Sequence, residues 1–281
     1  MKNDGKKLEI NFVNVINGKT YKDLPYGIKG NLKHMYKYLD DGDLIKSELV
    51  EGANKADFYI EIKGDRKYIS LKTGTATTVG TYGLKNFIAY LRSKGISERT
   101  LKIIVYMHFG DGTLDNTGKK RYCFEDFRRG KESLVEAANE ELNKSKEFIK
   151  DIVHRVVFRG FYEDNVEANY IYHGTEEQGY CCNFRQVCKQ IDAKKWSYIR
   201  NLHIGPIQFS PVARYADMDV LDDSKRWGVR FFWIGLQNEV ERIGRSFRYQ
   251  YDGYITLAER EANKAKVEGE KKKRKKKASE K

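Results

Sequence analysis

The sequence predicts an α/β fold with a strand-rich C-terminal half, and three observations support this class. Residues 56–74 form two strand-like runs that meet at a tight turn. Segments with a helical spacing of apolar residues flank this hairpin at residues 28–39 and 84–93. After residue 155, short apolar runs separated by turn residues replace the longer helical segments. The chain of 281 residues, 40% of them hydrophobic, is long enough for one large domain or two modest ones.

The N-terminal half is expected to mix strands and helices around the hairpin. Residues 8–16 predict a strand, and residues 28–39 predict a helix with its apolar residues on one stripe. Residues 46–52, KSELVEG, fit either a helix or a strand. A second helix is expected at residues 84–93, and the continuous apolar run at residues 101–109 predicts a buried strand.

The C-terminal half is expected to consist mainly of short strands. We place a boundary near residue 155, between an N-terminal core (residues 1–155) and a strand-rich half (residues 156–258). Residues 259–281 are basic and almost free of apolar side chains, which predicts a disordered tail. The elements expected around and beyond the boundary are helices at residues 131–153 and 185–193, and strands at residues 168–173, 179–183, 202–210 and 229–236.

The hairpin places polar groups on shared faces of its two strands. Because alternate side chains of a strand point to the same face, Asp57 and Glu61 share one face of the first strand. Ser70 and Lys72 share a face of the second strand for the same reason. A carboxylate, the Leu71 carbonyl and the Lys72 ammonium can then lie within a few ångströms, which is the set of groups needed to hold Mg²⁺ and polarise a phosphate.

The same residue types also occur on ordinary surface hairpins, since an Asp at a strand start and a Lys on an amphipathic strand are common. The context favours a functional site, because the apolar run at residues 68–71 ends in Lys72. A lysine at the end of a buried strand is rare unless it is paired. Thr73 and Gly74 then open a loop of small polar residues whose amides can approach a phosphate backbone.

Asp57 on the first strand and Ser70-Leu71-Lys72 on the second resemble the active-site hairpin of the PD-(D/E)XK nuclease superfamily, the fold of many restriction endonucleases. In that family an Asp opens one strand and an acid-x-Lys triplet follows on the next. The resemblance implies a restriction-endonuclease-like core, in which helices flank a mixed central sheet. Ala56 stands where the family often has Pro, and Ser70 stands where it usually has Glu or Asp, so the chain is a Ser-x-Lys variant.

The resemblance also implies roles for the residues of the hairpin. Asp57 would bind Mg²⁺, and the Leu71 carbonyl would complete the coordination. Lys72 would orient the attacking water and stabilise the charge that develops on the phosphate. Ser70 would hold a water ligand of the metal. Restriction-type cleavage of both DNA strands needs two active sites, which implies a homodimer.

The second carboxylate of such a site is expected from outside the Ser-x-Lys triplet. The candidates are Glu48 and Glu51, just upstream of the hairpin, and Glu61, which shares a face with Asp57. Glu48 is favoured because a helix ahead of the Asp strand often contributes an acid in this superfamily. The assignment is open at this point, since residues 46–52 also fit a strand.

The charge of the chain predicts a nucleic acid, DNA or RNA, as its partner, and the resemblance implies that this partner is double-stranded DNA. The formal net charge is +13, and residues 271–281 carry eight basic residues and one acidic residue. The remainder of the chain is therefore basic in its own right, and it holds 19 Tyr and 14 Phe. Basic groups neutralise phosphates while aromatic rings pack or stack against bases. The candidate nucleic-acid-binding residues are Arg155, Arg159, Arg200, Arg214 and Arg245.

Two other functions fit the same features. Because Ser70 replaces an acid, the chain could be a nucleic-acid-binding protein with a nuclease-like fold and no catalysis. The basic tail and the many aromatic residues also suit an RNA-associated protein. Arginine and tyrosine at strand spacing can also form nothing more than the solvated face of a half-buried sheet.

Several classes of protein are excluded or disfavoured by the sequence. The spacing of the four cysteines, Cys123, Cys181, Cys182 and Cys188, is not that of a zinc site. The N-terminal residues lack the continuous apolar segment of a secretory signal peptide. Reduced thiols in the cytoplasm are the simplest expectation. No apolar run approaches the ~20 residues that cross a bilayer, and a phosphate-binding G-x-x-x-x-G-K-[ST] motif is missing.

Overall fold

The computed structural model describes residues 4–52, 54–74, 77–118, 122, 124–194, 196, 201–212 and 223–252. Two sheets organise the helices of this part of the chain. In chain order, the helices and strands are α1 (Asp4–Ile16), α2 (Tyr26–Met35), β1 (Lys46–Leu49), β2 (Phe58–Ile62), β3 (Asp65–Lys72), β4 (Thr78–Gly83), α3 (Leu84–Ser93), α4 (Glu98–Phe109), α5 (Phe124–Arg128), α6 (Glu132–Leu142), α7 (Lys146–Val153), a π-helix (His154–Arg159), β5 (Tyr170–Gly174), β6 (Gly179–Asn183), α8 (Phe184–Ala193), β7 (His203–Ile204), β8 (Ile207–Pro211), α9 (Asp223–Arg226), β9 (Gly228–Trp233) and α10 (Leu236–Asp252).

The first sheet is mixed and has the strand order β1-β2-β3-β5-β6. All of its neighbouring strands are antiparallel except β3 and β5, which run parallel. Helices α1 and α2 cover one face, where the Phe12 ring lies 5.1 Å from that of Phe58 and 5.0 Å from that of Tyr172. Helices α8 and α10 cover the other face beside β5 and β6. The expected α/β class, with helices flanking a mixed central sheet, is confirmed.

The second sheet is antiparallel, with the order β4-β9-β8-β7. Helices α3 and α4 complete its core. There the Phe87 ring makes edge-to-face contacts with Phe209 and Phe231, with ring centroids 5.3 Å and 5.1 Å apart. The loop that follows β3 carries the chain directly from the first sheet to β4 of the second. The two sheets therefore meet next to the end of β3.

Two segments expected to be strands are helices. Residues 8–16 belong to α1, because Phe12, Val13 and Ile16 form one buried helical stripe. Residues 101–109 belong to α4. Ser97 caps the start of this helix, where its side chain accepts the Thr100 amide, and Gly110, in the left-handed conformation, caps its end. A short apolar run suits a buried strand and a buried helix equally well, and here the caps decide.

The other expectations for local structure agree with the fold apart from their boundaries. Residues 46–52, which fitted two readings, contain strand β1. The helix expected at residues 131–153 is divided into α6 and α7, since Ser145 caps a new helix by accepting the Phe148 amide. Residues 202–210 fold back on themselves at Gly205 to give β7 and β8. The loop expected after Lys72, at residues 73–83, is wrong in its second part, where residues Thr78–Gly83 form β4.

The boundary expected near residue 155 does not separate two cores. Strand β3 pairs with β5 and strand β4 pairs with β9, so each sheet joins strands from both sides of residue 155. One hydrophobic cluster includes residues from Val79 to Ile243. The assignment of catalysis to residues 1–155 and of DNA recognition to residues 156–258 stays a prediction. The basic tail at residues 259–281 lies outside the described residues.

The cysteines of β6 point to opposite faces of the first sheet, as expected for neighbours on a strand. Cys181 packs with the cluster under α1 and α2, and Cys182 packs with the cluster under α8 and α10. Both cysteines are buried and form no disulfide, and burial raises the pKa of Cys182 to about 12. In the part of the chain that the structure describes, no helix is long and apolar enough to span a bilayer.

Asn31 should be a main stabilising residue of the first sheet, because it binds the outer edge of strand β6. Its amide nitrogen donates to the carbonyls of Gly27 at 2.7 Å and Gly179 at 2.9 Å, and its oxygen accepts the Cys181 amide at 3.1 Å. We expect Asn31→Ala to lower the free energy of unfolding by about 1–3 kcal/mol, because these buried partners lose their hydrogen bonds. Denaturant unfolding measures this, with Asn14→Ala on the exposed face of α1 as the control. Equal stability of the two variants would contradict it.

Candidate active site

Asp57 is fixed at the start of β2 by backbone hydrogen bonds to both neighbouring strands. Its amide donates to the Ile69 carbonyl of β3 at 2.8 Å, and its carbonyl accepts the Val50 amide at 3.0 Å. Backbone hydrogen bonding to these two neighbouring segments therefore begins at Asp57, one residue before the first residue of β2. The Asp57 side chain is about one-fifth exposed, at 21%, so it can be reached from solvent.

The Asp57 carboxylate is hydrogen-bonded to the end of β3. Its Oδ2 accepts the Leu71 amide at 2.6 Å and lies 3.3 Å from the Ser70 hydroxyl. Backbone groups two residues apart on a strand point to the same side, so Leu71 faces β2 as Ile69 does. Main-chain pairing has ended at this point, and the Asp57 side chain takes the place of a strand partner.

Lys72 completes the cluster from the last position of β3. Its ammonium donates to the Ser70 hydroxyl and to the Leu71 carbonyl, each at 3.0 Å. It also forms an ion pair with Asp57 at 3.7 Å, and both side chains are about one-fifth exposed. The structure therefore brings together Asp57, Ser70, the Leu71 carbonyl and Lys72, as the sequence predicted. The roles assigned to them stay predictions.

Glu9 of α1 is an acidic residue near this cluster that the sequence reasoning missed. Burial raises the pKa of the Glu9 carboxyl, the Asp57 charge raises it further, and the Lys72 ammonium acts in the opposite direction. Its charge therefore lies within electrostatic range of both residues. The signal is present in the sequence, because Glu9 precedes Phe12 by three positions and Val13 by four, on the buried stripe of a helix. It was hidden when residues 8–16 were interpreted as a strand.

The acids expected to complete the site have other partners. Glu48 lies on exposed strand β1 opposite Tyr59, whose hydrogen bond lowers the pKa of the Glu48 carboxyl, and it forms an ion pair with Lys46 at 3.7 Å. Glu61 shares the face of Asp57, but it lies four residues along β2, or roughly 13 Å. It is bound there by Arg66 at 2.7 Å.

The oxygen atoms that lie at the start of β2 and the end of β3 suit a hard cation. The Asp57 carboxylate and the Leu71 carbonyl are oxygen donors, and Glu9 adds a second carboxylate nearby. Mg²⁺ prefers oxygen ligands, keeps several waters and is commonly held by one or two carboxylates. Among the described residues, no group of three or more His, Cys, Asp or Glu side chains is placed to hold a metal. The fit to Mg²⁺ rests on the Asp57 carboxylate and the Leu71 carbonyl, which are oxygen ligands of the kind that this ion prefers.

Two further polar residues border the cluster. Lys55, two residues before Asp57, donates to the carbonyls of Val79 at 2.8 Å and Val156 at 2.5 Å. Burial, followed by the nearby Lys72 charge, lowers the pKa of Lys55 to about 8. His173 is the neighbour of Lys72 on the parallel strand β5. Its Nε2 donates to the Gly74 carbonyl at 3.1 Å, which fixes the loop that follows Lys72.

The predicted nucleic-acid-binding arginines are dispersed. Arg155 lies over the Tyr90 ring at 4.7 Å, and Arg159 is exposed at the end of the same π-helix. Arg245 of α10 donates to Glu241 at 3.0 Å. Arg200 and Arg214 lie outside the described residues. The π-helix therefore presents two of the five predicted arginines, and their role in binding stays a prediction.

The hydrogen bonds of Asp57 predict how its substitutions affect stability. Asp57→Ala removes the acceptor of the Leu71 amide and should lower the free energy of unfolding by about 1–3 kcal/mol. Asp57→Asn keeps an oxygen at this position and should cost less than Asp57→Ala. Thermal and denaturant unfolding of the two variants measure the difference. A larger loss for Asn than for Ala would contradict the observed hydrogen bonding.

Comparisons with known proteins give a match among solved structures. No family model matches the chain, and no curated protein matches it. Among solved structures, a crystal structure of the restriction endonuclease MspI in complex with its cognate DNA is similar to this chain, with 14% sequence identity and a TM-score of 0.41. The similarity covers 73% of this chain and 76% of that chain.

Proposed function

We propose that this protein is a Mg²⁺-dependent endonuclease that hydrolyses phosphodiester bonds of double-stranded DNA, of the type II restriction kind. The observation that supports the proposal best is the cluster of Asp57, Leu71 and Lys72. The Asp57 carboxylate accepts the Leu71 amide at 2.6 Å, and the Lys72 ammonium lies 3.0 Å from the Leu71 carbonyl and 3.7 Å from the Asp57 carboxylate. A carboxylate, a carbonyl and an ammonium in this arrangement can serve a cation and a phosphate at once.

Each residue of the cluster has a role that follows from its contacts. Asp57 and the Leu71 carbonyl would hold Mg²⁺, which supplies Lewis-acid stabilisation of phosphate charge when bound. Lys72 lies at the C-terminal end of β3 with its side chain about one-fifth exposed, where its ammonium can orient a water and stabilise negative charge on the phosphate oxygens. The Ser70 hydroxyl accepts a hydrogen bond from this ammonium and thereby fixes its position.

Glu9 is the residue we propose as the second carboxylate. The sequence favoured Glu48 for this role, with Glu61 as an alternative, but each of these has its own partner on the sheet surface. The Glu9 carboxyl experiences the charges of both Asp57 and Lys72. An acid donated by α1 would explain how a site with Ser70 in the triplet can still bind a metal.

The charges around the cluster support a polyanionic substrate. Lys72 places an ammonium group beside Asp57, and the π-helix, whose Val156 carbonyl accepts a hydrogen bond from Lys55, carries Arg155 and Arg159. Such groups neutralise phosphates without reading the base sequence. Cutting both strands of a duplex requires two sites, so we propose that the protein acts as a homodimer.

Cleavage of plasmid DNA tests the proposed activity. We expect Lys72→Ala and Asp57→Asn each to lower the rate of Mg²⁺-dependent nicking by about 100-fold or more, because each removes stabilisation of the charge that develops on the phosphate. Lys46→Ala, which removes an exposed lysine of the same sheet, should leave the rate unchanged. Nicking by both active-site variants at the parental rate would contradict the mechanism. A parent that binds duplex DNA in EDTA but stays inert with Mg²⁺ or Mn²⁺ would identify a non-catalytic binding protein instead.

Metal titration distinguishes the candidate acids. We expect Glu9→Gln to weaken Mn²⁺ binding by about 10-fold or more, because it removes a carboxylate from the site. Glu48→Gln is the matched control and should bind Mn²⁺ like the parent. Calorimetric titration of the purified variants measures both. A loss of affinity in Glu48→Gln with none in Glu9→Gln would overturn the assignment of Glu9.

A further inference from the structure

Lys55 stands between the candidate active site and the second sheet, and the role assigned to Asp57 and Lys72 does not use it. We propose that Lys55 is a positioning residue, whose ammonium fixes the Asp57 end of β2 against β4 and the π-helix. This inference rests on the proposed nuclease function and adds a residue to its site.

The ammonium of Lys55 is held by two distant parts of the chain. It donates to the Val79 carbonyl of β4 at 2.8 Å and to the Val156 carbonyl of the π-helix at 2.5 Å. These residues are 24 and 101 positions away in sequence. A lysine has three donors, so two of them join the segment before Asp57 to the second sheet and to the π-helix.

The backbone of both partners is irregular where Lys55 binds. The register of β4 against β9 shifts between Thr78 and Gly80, which leaves Val79 as an extra residue in a β-bulge. Val156 lies in the π-helix, a form that occurs mainly as single turns and often at functional sites. An extra residue in a bulge is not paired in the ladder, so the Val79 carbonyl is available to a side chain.

Gly80 provides the space for the ammonium. A Cβ atom at this position would lie 2.7 Å from the Lys55 Nζ and 3.4 Å from the Val156 carbonyl oxygen. Any larger residue would therefore displace the ammonium or the strand. A bulge, a π-helix and a glycine thus meet at one side chain, which indicates a specific binding position for Lys55.

Keeping the Lys55 ammonium charged at this position costs free energy, and the groups around it indicate what the side chain contributes in return. Burial lowers the pKa of Lys55, the Lys72 charge lowers it further, and the Asp57 carboxylate opposes both. A buried cation held by neutral carbonyls adds little net stability. Its value is geometric, since it anchors the chain two residues before Asp57, whose carboxylate must stay aligned with Leu71.

The test compares Lys55→Met with a lysine in a similar setting far from the site. Lys146 of α7 also donates to backbone carbonyls, those of Ile191 and Asp192 at 2.6 Å and of Lys194 at 2.7 Å. We expect Lys55→Met to lower kcat for cleavage by roughly 10-fold or more with KM changed less than about twofold, because small displacements of catalytic groups slow the reaction itself. Lys146→Met should keep the parental kcat.

Gly80→Ala provides an independent route to the same position. It should lower kcat much as Lys55→Met does, and the double variant should be no slower than the slower single variant, since both changes remove one interaction. Additive losses of kcat in the double variant would overturn the proposal. A folded Lys55→Met protein with the parental kcat would also overturn it, because Lys55 would then only connect the two sheets.

Hydrogen exchange gives a readout that does not depend on cleavage. The Leu71 amide donates to Asp57 Oδ2, so displacement of Asp57 should speed its exchange in Lys55→Met by roughly fivefold or more. Lys146→Met should leave this exchange unchanged. If the parent does not cleave DNA, the proposed function fails while the exchange still tests the position of Asp57. Unchanged Leu71 exchange in Lys55→Met would overturn the positioning role.

Discussion

The hydrogen bond from the Leu71 amide to the Asp57 carboxylate, 2.6 Å long, joins β2 and β3 at the point where their main-chain pairing ends. A strand that loses its partner would ordinarily expose backbone groups to water. Here a side chain takes over the role of the partner strand, and the hydrogen bond holds the carboxylate at the C-terminal end of β3. The positions of Ser70 and Lys72, and the direction of the Leu71 carbonyl, all follow from this arrangement.

The rest of the fold supports this edge from several directions. Helix α1 packs Phe12 on the sheet and brings Glu9 to the edge one turn earlier. The parallel strand β5 places His173 beside Lys72 and binds the following loop through the Gly74 carbonyl. That loop leads at once to β4, so the second sheet is built next to the candidate site. Because β3 and β5 run parallel, their C-terminal ends lie side by side, and Lys72 and His173 are neighbours there.

The sequence was sufficient for the local part of the site and insufficient for the long-range part. Asp57 and Lys72 were predictable because the alternation of a hairpin determines which side chains share a face. Glu9 was not, because residues 8–12 alternate apolar and polar side chains as a strand does, although they belong to helix α1. Lys55 could not be found from sequence, since its partners depend on a β-bulge and a π-helix far along the chain.

The central claim is that Asp57 and the end of β3 form a divalent-cation site, and crystals of the protein soaked in Mn²⁺ test it most directly. Data collected where manganese scatters anomalously would locate the ion. The account predicts one anomalous peak in contact with the Asp57 carboxylate and the Leu71 carbonyl, absent from crystals of Asp57→Asn. A peak at Glu48 or Glu61 instead, or no peak at the Asp57 edge in saturating Mn²⁺, would contradict it.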